Sequence, residues 1–297
     1  MKTVALIGPT ASGKSDLALT AAKTAGARIL SLDSLSIYRG IDIASAKPTP
    51  REREGVIHYG IDVLDPDEPF SVTTFIALYR QARAECDAAG VPLIIVGGTS
   101  FYLKTLMEGI SETPPTDAST RRRVETIMQE QETAYALLQS ADPAAAARID
   151  SHDRYRTEKM LTLYLQTGRP PSQWFASHPP RPFLQGCRLF EVDVARDVLR
   201  ERIVVRTQKM IASGLIDEVA GLEQRYGHAP NPMKAIGIVE VLEYLDGKTD
   251  KAEMAGRIVT HTAQLAKRQQ TFNRSQFAEK TLLPPEALQD AVVRALG

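Results

Sequence analysis

Short apolar runs alternate with stretches of helical periodicity along the first hundred residues of the chain. The pattern predicts strands at residues 4–7, 28–33 and 91–99. Uninterrupted apolar character is typical of parallel strands that are buried on both faces. Between the last two strands, apolar residues from Phe75 to Cys86 recur at helical spacing, with Ser71 before them and Gly90 after them. The alternation predicts an α/β core whose mostly parallel sheet is flanked by helices.

The pattern changes in the middle of the chain. From about Thr113, alanine-rich helical stretches replace the strand pattern, and a series of prolines follows them. After the prolines, residues 186–192 predict a strand that rejoins the sheet. The sequence therefore predicts an inserted all-helical subdomain, residues 114–182, in a core made of residues 1–113 and 183–297. Two more helices are predicted in the second part of this core, at residues 196–213 and 251–277.

Composition limits the classes of partner and compartment. The 36 Lys and Arg residues balance the 36 Asp and Glu residues, so the chain has no overall basic field and any contact with nucleic acid must be local. Two cysteines, Cys86 and Cys187, are too few for a disulfide framework and are predicted to be small core residues. No apolar stretch approaches the roughly 20 residues that span a bilayer. We expect a cytoplasmic protein without membrane contact.

The loop after the first strand carries the clearest chemical motif. It reads Gly-Pro-Thr-Ala-Ser-Gly-Lys-Ser and precedes a predicted helix, which is the context of a phosphate-binding P-loop. Its glycines allow backbone N–H groups to face phosphate oxygens, and the helix N-terminus adds positive potential. Lys14 is predicted to bridge phosphates and Ser15 to hold Mg²⁺. The motif predicts a core similar to the P-loop NTPases but leaves kinases, NTPases and transferases open.

Two further candidates follow the other predicted strands. Asp33 ends the second strand, where it is either a general base or a residue that caps the next turn or supports Mg²⁺. Thr99 follows Gly97 and Gly98, whose lack of side chains permits close backbone approach to a ligand. A strand-to-helix turn without chemistry explains the same three residues.

Arg202 and Arg206 are four residues apart and therefore share one face of a predicted helix. Their forked, permanently charged side chains suit the stabilisation of a leaving diphosphate. The alternative is that they are surface arginines that are solvated or paired with Glu201.

The late helix concentrates cations, amides and one aromatic residue between residues 261 and 274. Lys267, Arg268 and Arg274 are candidates for RNA phosphate contacts, and the amides and Phe272 suit unpaired bases. A solvated basic helix face gives the same pattern.

Together, these motifs resemble the tRNA dimethylallyltransferases, also called tRNA isopentenyltransferases. The resemblance runs nearly from end to end. Beside the P-loop it includes the stretch from Asp33 to Gly40, the tripeptide at 46–48, and Gly97-Gly98-Thr99. Its later markers are Asp142-Pro143, Arg148-Ile149, Arg202 with Arg206, Met210 with Gly214, and the block at 265–269.

The resemblance implies transfer of a dimethylallyl group from dimethylallyl diphosphate to N6 of adenosine 37, next to the tRNA anticodon. Asp33 would accept the amine proton and Thr99 would assist near the reacting centre, while Arg206 would stabilise the leaving diphosphate. The target base would leave its stack to reach the site. Diphosphate binding is implied for Gly8, Thr10, Ala11, Ser12, Gly13, Lys14, Ser15 and Arg202, with Mg²⁺ on Ser15.

The resemblance also implies the tRNA contacts, and a monomer is expected. The implied contacts are Asp33, Ser34, Leu35, Ser36, Tyr155, Arg156, Lys159, Lys234, Gly237, Lys267, Arg268, Gln269, Thr271, Phe272 and Arg274. Three positions depart from the usual family pattern: Lys159 replaces arginine, Ile238 replaces tyrosine, and Phe272 replaces tryptophan. No structural zinc is expected.

Three other functions share parts of this pattern. An adenylate isopentenyltransferase has the same core but modifies free nucleotides, and a small-molecule kinase uses ATP at the same loop. An RNA-binding module with a regulatory phosphate loop is the third. The inserted subdomain and the basic helix favour a tRNA substrate.

Overall fold

The computed structural model describes residues 2–297, which contain one six-stranded sheet. The strand order is β3-β2-β4-β1-β5-β6, and all neighbouring strands pair in parallel. The strands are β1 (Thr3–Ile7), β2 (Arg28–Leu32), β3 (His58–Tyr59), β4 (Leu93–Gly97), β5 (Arg188–Val192) and β6 (Thr281–Leu283). The predicted α/β core with a mostly parallel sheet is confirmed.

The four predicted strands correspond to β1, β2, β4 and β5, whereas β3 and β6 were not predicted. Every residue of β1 and β4 is buried, which explains why these two segments are continuously apolar. In contrast, β3 has only two residues, and Leu282 in β6 is 51% exposed. Edge strands this short give no periodic signal in the sequence.

The helices begin and end close to the predicted positions. Ser71 caps the helix that follows it by accepting a hydrogen bond from Thr74 N–H at 3.2 Å, and Gly90 ends it with φ +69°. A short 3₁₀ helix spans Asn231–Lys234. The α-helices are α1 (Lys14–Ala25), α2 (Val72–Ala89), α3 (Ser100–Glu108), α4 (Ala118–Ile127), α5 (Gln131–Ala141), α6 (Pro143–Ala146), α7 (Arg154–Thr167), α8 (Pro171–Ser177), α9 (Arg196–Ala212), α10 (Leu215–Tyr226), α11 (Ile238–Leu245), α12 (Lys251–Gln276) and α13 (Pro285–Leu296).

The chain forms two compact units. The larger comprises residues up to Leu106 together with Leu184–Gly297, and the smaller spans Met107–Phe183. The sequence placed the insertion at 114–182, so the helical unit begins a few residues before the predicted boundary. In the larger unit, α1 and α13 pack on the sheet through a core that includes Leu6, Ile94 and Leu288.

The smaller unit has a helical core of its own, formed by residues such as Val124, Leu138 and Leu161. Asp142 is buried and connects two of its helices. It caps α6 by accepting from Ala145 N–H at 3.0 Å, and it accepts from the backbone and hydroxyl of Ser172 on α8 at 2.6 and 2.9 Å. These bonds give Asp142, one of the sequence markers, a structural role.

The two cysteines differ in environment. Cys86 is buried in α2, as predicted. The prediction that Cys187 is a core residue is partly wrong, because this residue is only half-buried, just before β5. Burial raises the pKa of the Cys187 thiol to about 12. In the described part of the chain, no helix has both the length and the apolar character that crossing a membrane requires.

Candidate active site

A cavity of about 1590 Å³ opens in the larger unit at the carboxyl ends of β1, β2 and β4. This is the edge at which open parallel sheets bind ligands. The walls come from the P-loop, the segment after β2, α9 and α12. Most predicted diphosphate-binding residues line the cavity, including Thr10 to Ser15 and Arg202, whereas Gly8 does not, and neither does the predicted catalytic residue Thr99.

The P-loop between β1 and α1 is tightly wound. Gly13 has φ +85°, a left-handed conformation that side chains disfavour, and it is the N-cap residue of α1. A Cβ atom on Gly8 would lie 3.0 Å from Ser12 Oγ and 3.4 Å from Val192, so glycine permits this close approach. The buried Ser12 hydroxyl has no hydrogen-bond partner among the described residues. A bound oxyanion is the kind of ligand that such a loop and hydroxyl accept.

Lys14 begins α1 and points back over the P-loop, where its Nζ donates to the carbonyl of Pro9 at 3.2 Å. Loss of hydration and, next, the nearby Arg206 guanidinium lower the pKa of Lys14 from 10.5 to about 8, while Asp33 opposes the shift. Burial is the larger cause of this shift, and the contribution of Arg206 shows that a second positive charge lies close to the Lys14 amine. An anionic ligand would relieve this repulsion.

The two arginines of α9 face the same site, rather than pairing with Glu201 as surface residues. Arg202 Nη1 donates to the carbonyl of Ser12 at 3.2 Å and thereby contacts the P-loop directly. Burial lowers the pKa of Arg206, and Asp33 again opposes the shift. The predicted one-sided arrangement of the pair is confirmed, and it places both guanidinium groups on the cavity.

Asp33 directly follows β2 and lines the cavity. Its Oδ1 accepts hydrogen bonds from the backbone N–H groups of Leu35 and Ser36 at 2.8 and 3.0 Å. Asp33 therefore caps the next turn, which was one of the two alternatives from the sequence. Both backbone bonds end on Oδ1, so Oδ2 remains available to a ligand, and the capping role does not exclude a general base.

The glycines before Thr99 allow the ends of β2 and β4 to meet. A Cβ atom on Gly97 would lie 2.2 Å from the carbonyl oxygen of Leu32, which excludes any side chain. Thr99 N–H donates to the same carbonyl at 3.1 Å. The glycine requirement is thus explained by strand packing. Thr99 lies two residues beyond the end of β4 and is bonded to Leu32, the last residue of β2, which Asp33 directly follows.

The predicted tRNA-binding residues fall into several places. Ser34, Leu35, Ser36 and Lys234 line the cavity, and Gly237 is buried, with its N–H donating to Glu240 at 2.6 Å. In the helical unit, Tyr155, Arg156 and Lys159 are exposed on α7, with Lys159 Nζ 5.4 Å from the centre of the Tyr155 ring.

The remaining predicted tRNA contacts lie on α12. Its outer face forms a groove of about 560 Å³, which we call the α12 groove, lined by Gln264, Lys267, Arg268, Thr271, Phe272 and Ser275. Arg274 is exposed elsewhere on the helix. Gln269 differs from its neighbours because it faces the cavity, where its side chain bonds to Thr10 and Gly98.

Two residues that the sequence did not assign a role hold the cavity wall at 42–48. Lys47 has a buried side chain whose Nζ donates to the carbonyl of Tyr38 at 2.7 Å and to Asp42 and Asp62 at 2.6 Å each. Glu218 on α10 accepts from the backbone N–H groups of residues 42, 43 and 44 at 3.0, 2.7 and 2.9 Å. No sequence motif marks Glu218, although Lys47 lies in the tripeptide at 46–48 that carried the resemblance.

Ser15 is the residue that the motif assigns to a cation. It is exposed at the N-terminus of α1 and lines the cavity, so its hydroxyl is accessible to a hard cation that also binds phosphate oxygens. Over residues 2–297, no three His, Cys, Asp or Glu side chains are grouped so as to hold a metal ion.

A parallel sheet with a P-loop, crowded cations and a carboxylate at one edge defines a class of protein that binds a di- or polyphosphate for group transfer. The family model described as IPP transferase matches residues 36–276, and the model described as isopentenyl transferase matches residues 1–61. The chain belongs to the IPP transferase family, which confirms the resemblance seen in the sequence.

Curated relatives and solved structures agree with this membership. A tRNA dimethylallyltransferase of Sulfurimonas denitrificans is 50% identical over 100% of both chains, and one of Sulfurovum is 49% identical over 93% of this chain and 92% of its own. The tRNA isopentenylpyrophosphate transferase structure from Bacillus halodurans has a TM-score of 0.72 at 30% identity, covering 99% of this chain and 96% of its own. A eukaryotic dimethylallyltransferase acting on tRNA has a TM-score of 0.86 at 26% identity, covering 96% of this chain and 74% of its own.

Proposed function

We propose that this protein is a tRNA dimethylallyltransferase. It transfers the dimethylallyl group of dimethylallyl diphosphate to the exocyclic N6 of adenosine 37 in tRNAs that read codons beginning with U, and the other product is diphosphate. The observation that carries the proposal is one cavity in which the P-loop, Lys14 and Arg206 face Asp33. Family membership supplies the substrate class.

The P-loop holds the diphosphate of the donor. Backbone N–H groups of the loop and the free Ser12 hydroxyl are the donors that an oxyanion needs, and Lys14 and Arg206 add positive charge. Arg202 keeps the loop in place through the Ser12 carbonyl. When the bond between the allyl carbon and the diphosphate oxygen breaks, negative charge grows on the diphosphate, and these groups stabilise it.

Mg²⁺ fits the same end of the cavity. The Ser15 hydroxyl would hold it together with diphosphate oxygens, which are the hard oxygen ligands that Mg²⁺ prefers. The ion would neutralise charge on the leaving group.

Asp33 acts on the acceptor base. The exocyclic amine of adenine is a poor nucleophile because its lone pair is conjugated with the ring, so removing its proton assists attack on the allyl carbon. Oδ1 is fixed by the two backbone N–H groups, which leaves Oδ2 to accept the proton. Thr99, fixed to the Leu32 carbonyl, assists near the reacting centre.

The anticodon stem-loop is the partner, and the flipped base enters the cavity beside Asp33. Ser34 to Ser36 and Lys234 contact it at the cavity wall. Lys267, Arg268, Thr271 and Phe272 contact the RNA along the α12 groove. In the helical unit, Tyr155, Arg156 and Lys159 add contacts, and the protein acts as a monomer in the cytoplasm.

The decisive experiment is incubation with dimethylallyl diphosphate, Mg²⁺ and unmodified tRNA, followed by mass analysis of the nucleosides. We expect prenylated adenosine under multiple-turnover conditions, which a binding module would not give. Free AMP in place of tRNA tests for an adenylate isopentenyltransferase, and [γ-³²P]ATP tests for a kinase. Label transfer from ATP with unmodified tRNA nucleosides would contradict the proposal.

A further inference from the structure

Gln269 connects the two loops that form the donor end of the cavity. Its Oε1 accepts a hydrogen bond from Thr10 N–H at 2.8 Å, and its Nε2 donates to the carbonyl of Gly98 at 3.0 Å. The amide thus bridges the P-loop and the loop after β4, although it lies more than 170 residues from either of them in the chain. The loops already start from paired strands, β1 and β4, and Gln269 adds a direct side-chain link between them.

The two bonds depend on a close fit at Gly98. A Cβ atom on this residue would lie 2.4 Å from Gln269 Nε2, so any side chain there would displace the amide. Gly98 therefore makes room for Gln269, just as Gly97 makes room for the end of β2.

The helix that carries Gln269, α12, is anchored one turn before and one turn after this residue. Ala266, one turn earlier, is buried in a cluster with Ile203 of α9 and Ala11 of the P-loop. One turn later, the buried Asn273 donates to Glu191 at the end of β5 at 2.7 Å. The helix is therefore anchored on both sides of Gln269.

The face of α12 that carries Gln269 is distinct from the α12 groove. Ile258, Thr262, Leu265 and Gln269 line the cavity at helical spacing, whereas Lys267 and Arg268 line the groove. The resemblance implied an RNA contact for Gln269, but both ends of its amide already bond to the donor loops.

We infer that Gln269 is a positioning residue for the prenyl donor, acting through Thr10 and Gly98 rather than through RNA. Because Thr10 N–H is bonded to Gln269, the loop offers the diphosphate its later N–H groups and not this one. The bond to Gly98 fixes the residue before Thr99 relative to the P-loop. The inference rests on the proposed function in taking the ligand of the loop to be a prenyl diphosphate.

The test compares Gln269→Ala with Gln270→Ala. Gln270 is the next residue along the helix and lines neither the cavity nor the α12 groove. Equilibrium titration measures the Kd of inorganic pyrophosphate and of dimethylallyl diphosphate, and a parallel titration measures the Kd of tRNA. We expect Gln269→Ala to weaken pyrophosphate and donor binding about tenfold, because two hydrogen bonds that hold the loop are lost. Affinity for tRNA stays within about twofold, and Gln270→Ala changes neither.

A double-mutant cycle separates positioning from a general structural effect. Gly98→Ala alone displaces the amide and is expected to weaken pyrophosphate binding about as much as Gln269→Ala. In the Gln269→Ala background there is room for the added methyl group, so Gly98→Ala costs little more, and the effects are not additive.

Two results would overturn the inference: additive losses in the cycle, or weakened tRNA binding with unchanged pyrophosphate binding. The second result would make Gln269 an RNA contact. The wild-type protein serves as the separate test of function. If the wild-type protein does not prenylate tRNA but still binds pyrophosphate more tightly than Gln269→Ala does, the proposed function fails while the role of Gln269 in holding the phosphate loop stands.

Discussion

Asp33 Oδ1 accepts a hydrogen bond from the backbone N–H of Ser36 at 3.0 Å, and this contact fixes the carboxylate at the end of β2. A second bond, from Leu35 N–H at 2.8 Å, ends on the same oxygen. Asp33 therefore orders this turn and is also the residue that we propose as the general base. Its negative charge also opposes the lowering of the pKa values of Lys14 and Arg206, so Asp33 interacts electrostatically with both cations.

Asp33→Asn separates the two roles of this residue. The amide oxygen can still accept from the two backbone N–H groups, so the turn is preserved, but the side chain no longer accepts a proton at neutral pH. We expect single-turnover prenyl transfer to slow by roughly 10²–10⁴-fold, the usual contribution of general base catalysis. Donor and tRNA affinities, measured by titration, stay within about threefold.

Asp33→Ala is the comparison for this prediction. It removes the cap as well as the base and is expected to abolish transfer while leaving tRNA binding largely intact. If either substitution reduced tRNA affinity as much as it reduced the rate, Asp33 would be a docking residue rather than a base.

The lowered pKa of Lys14 predicts that donor binding depends on pH. Its pKa in the free protein is lowered to about 8, and a bound diphosphate raises this pKa because it stabilises the ammonium form. Below the free-protein pKa, Lys14 is charged before and after binding, so affinity is fully present. As pH rises above it, binding must bring a proton to the amine, and affinity falls by up to about tenfold per pH unit.

Calorimetric titration of dimethylallyl diphosphate from about pH 7 to about pH 9.5 measures this dependence. Lys14→Arg is the control because a guanidinium stays charged throughout this range, so its affinity is expected to be flat. The Cys187 thiol does not interfere, since burial raises its pKa to about 12. A wild-type profile as flat as that of Lys14→Arg would contradict the charge state assigned to Lys14.

The edge of the sheet that carries the candidate active site could be predicted from local sequence. The P-loop, Asp33 and Thr99 each follow a strongly apolar strand, and parallel strands end at a common edge. The boundaries of α2 were equally accessible, because Ser71 and Gly90 are strong capping residues.

The connections across the cavity could not be predicted in the same way. The backbone bonds of Glu218 and the amide bonds of Gln269 join segments more than 170 residues apart, so no local spacing encodes them. One signal was nevertheless present for Gln269. It continues the spacing of Ile258 and Leu265, two residues on the inward face of α12, whereas Lys267 and Arg268 lie off that face.

Lys267→Ala tests the RNA role of the α12 groove. Lys267 is exposed and lines this groove with Arg268, so it is placed to neutralise an RNA phosphate. We expect weaker tRNA binding, and the slope of log Kd against log salt concentration is reduced by about one. Lys251→Ala, at the exposed start of the same helix, is the control and leaves the slope unchanged. Equal slopes for Lys267→Ala and wild type would show that the groove does not bind RNA.

Glu218→Gln tests how the cavity wall at 42–48 is held. The Glu218 carboxylate accepts three backbone N–H groups from residues 42–44, and bonds to a charged acceptor are stronger than neutral ones. An amide loses the charge and turns an NH₂ group toward donors. We expect the free energy of unfolding to fall by about 1–3 kcal/mol, seen as a Tm lowered by several degrees in thermal denaturation.

The matched control is Asp217→Asn, which removes the charge of the neighbouring residue on α10. Asp217 is exposed, so its substitution is expected to change stability by less than about 0.5 kcal/mol. Because residues 42–48 line the cavity, Glu218→Gln is also expected to raise the KM for tRNA more than it lowers kcat. Equal stability of Glu218→Gln and Asp217→Asn would mean that the buried Lys47, with its bonds to Asp42 and Asp62, holds this wall without Glu218.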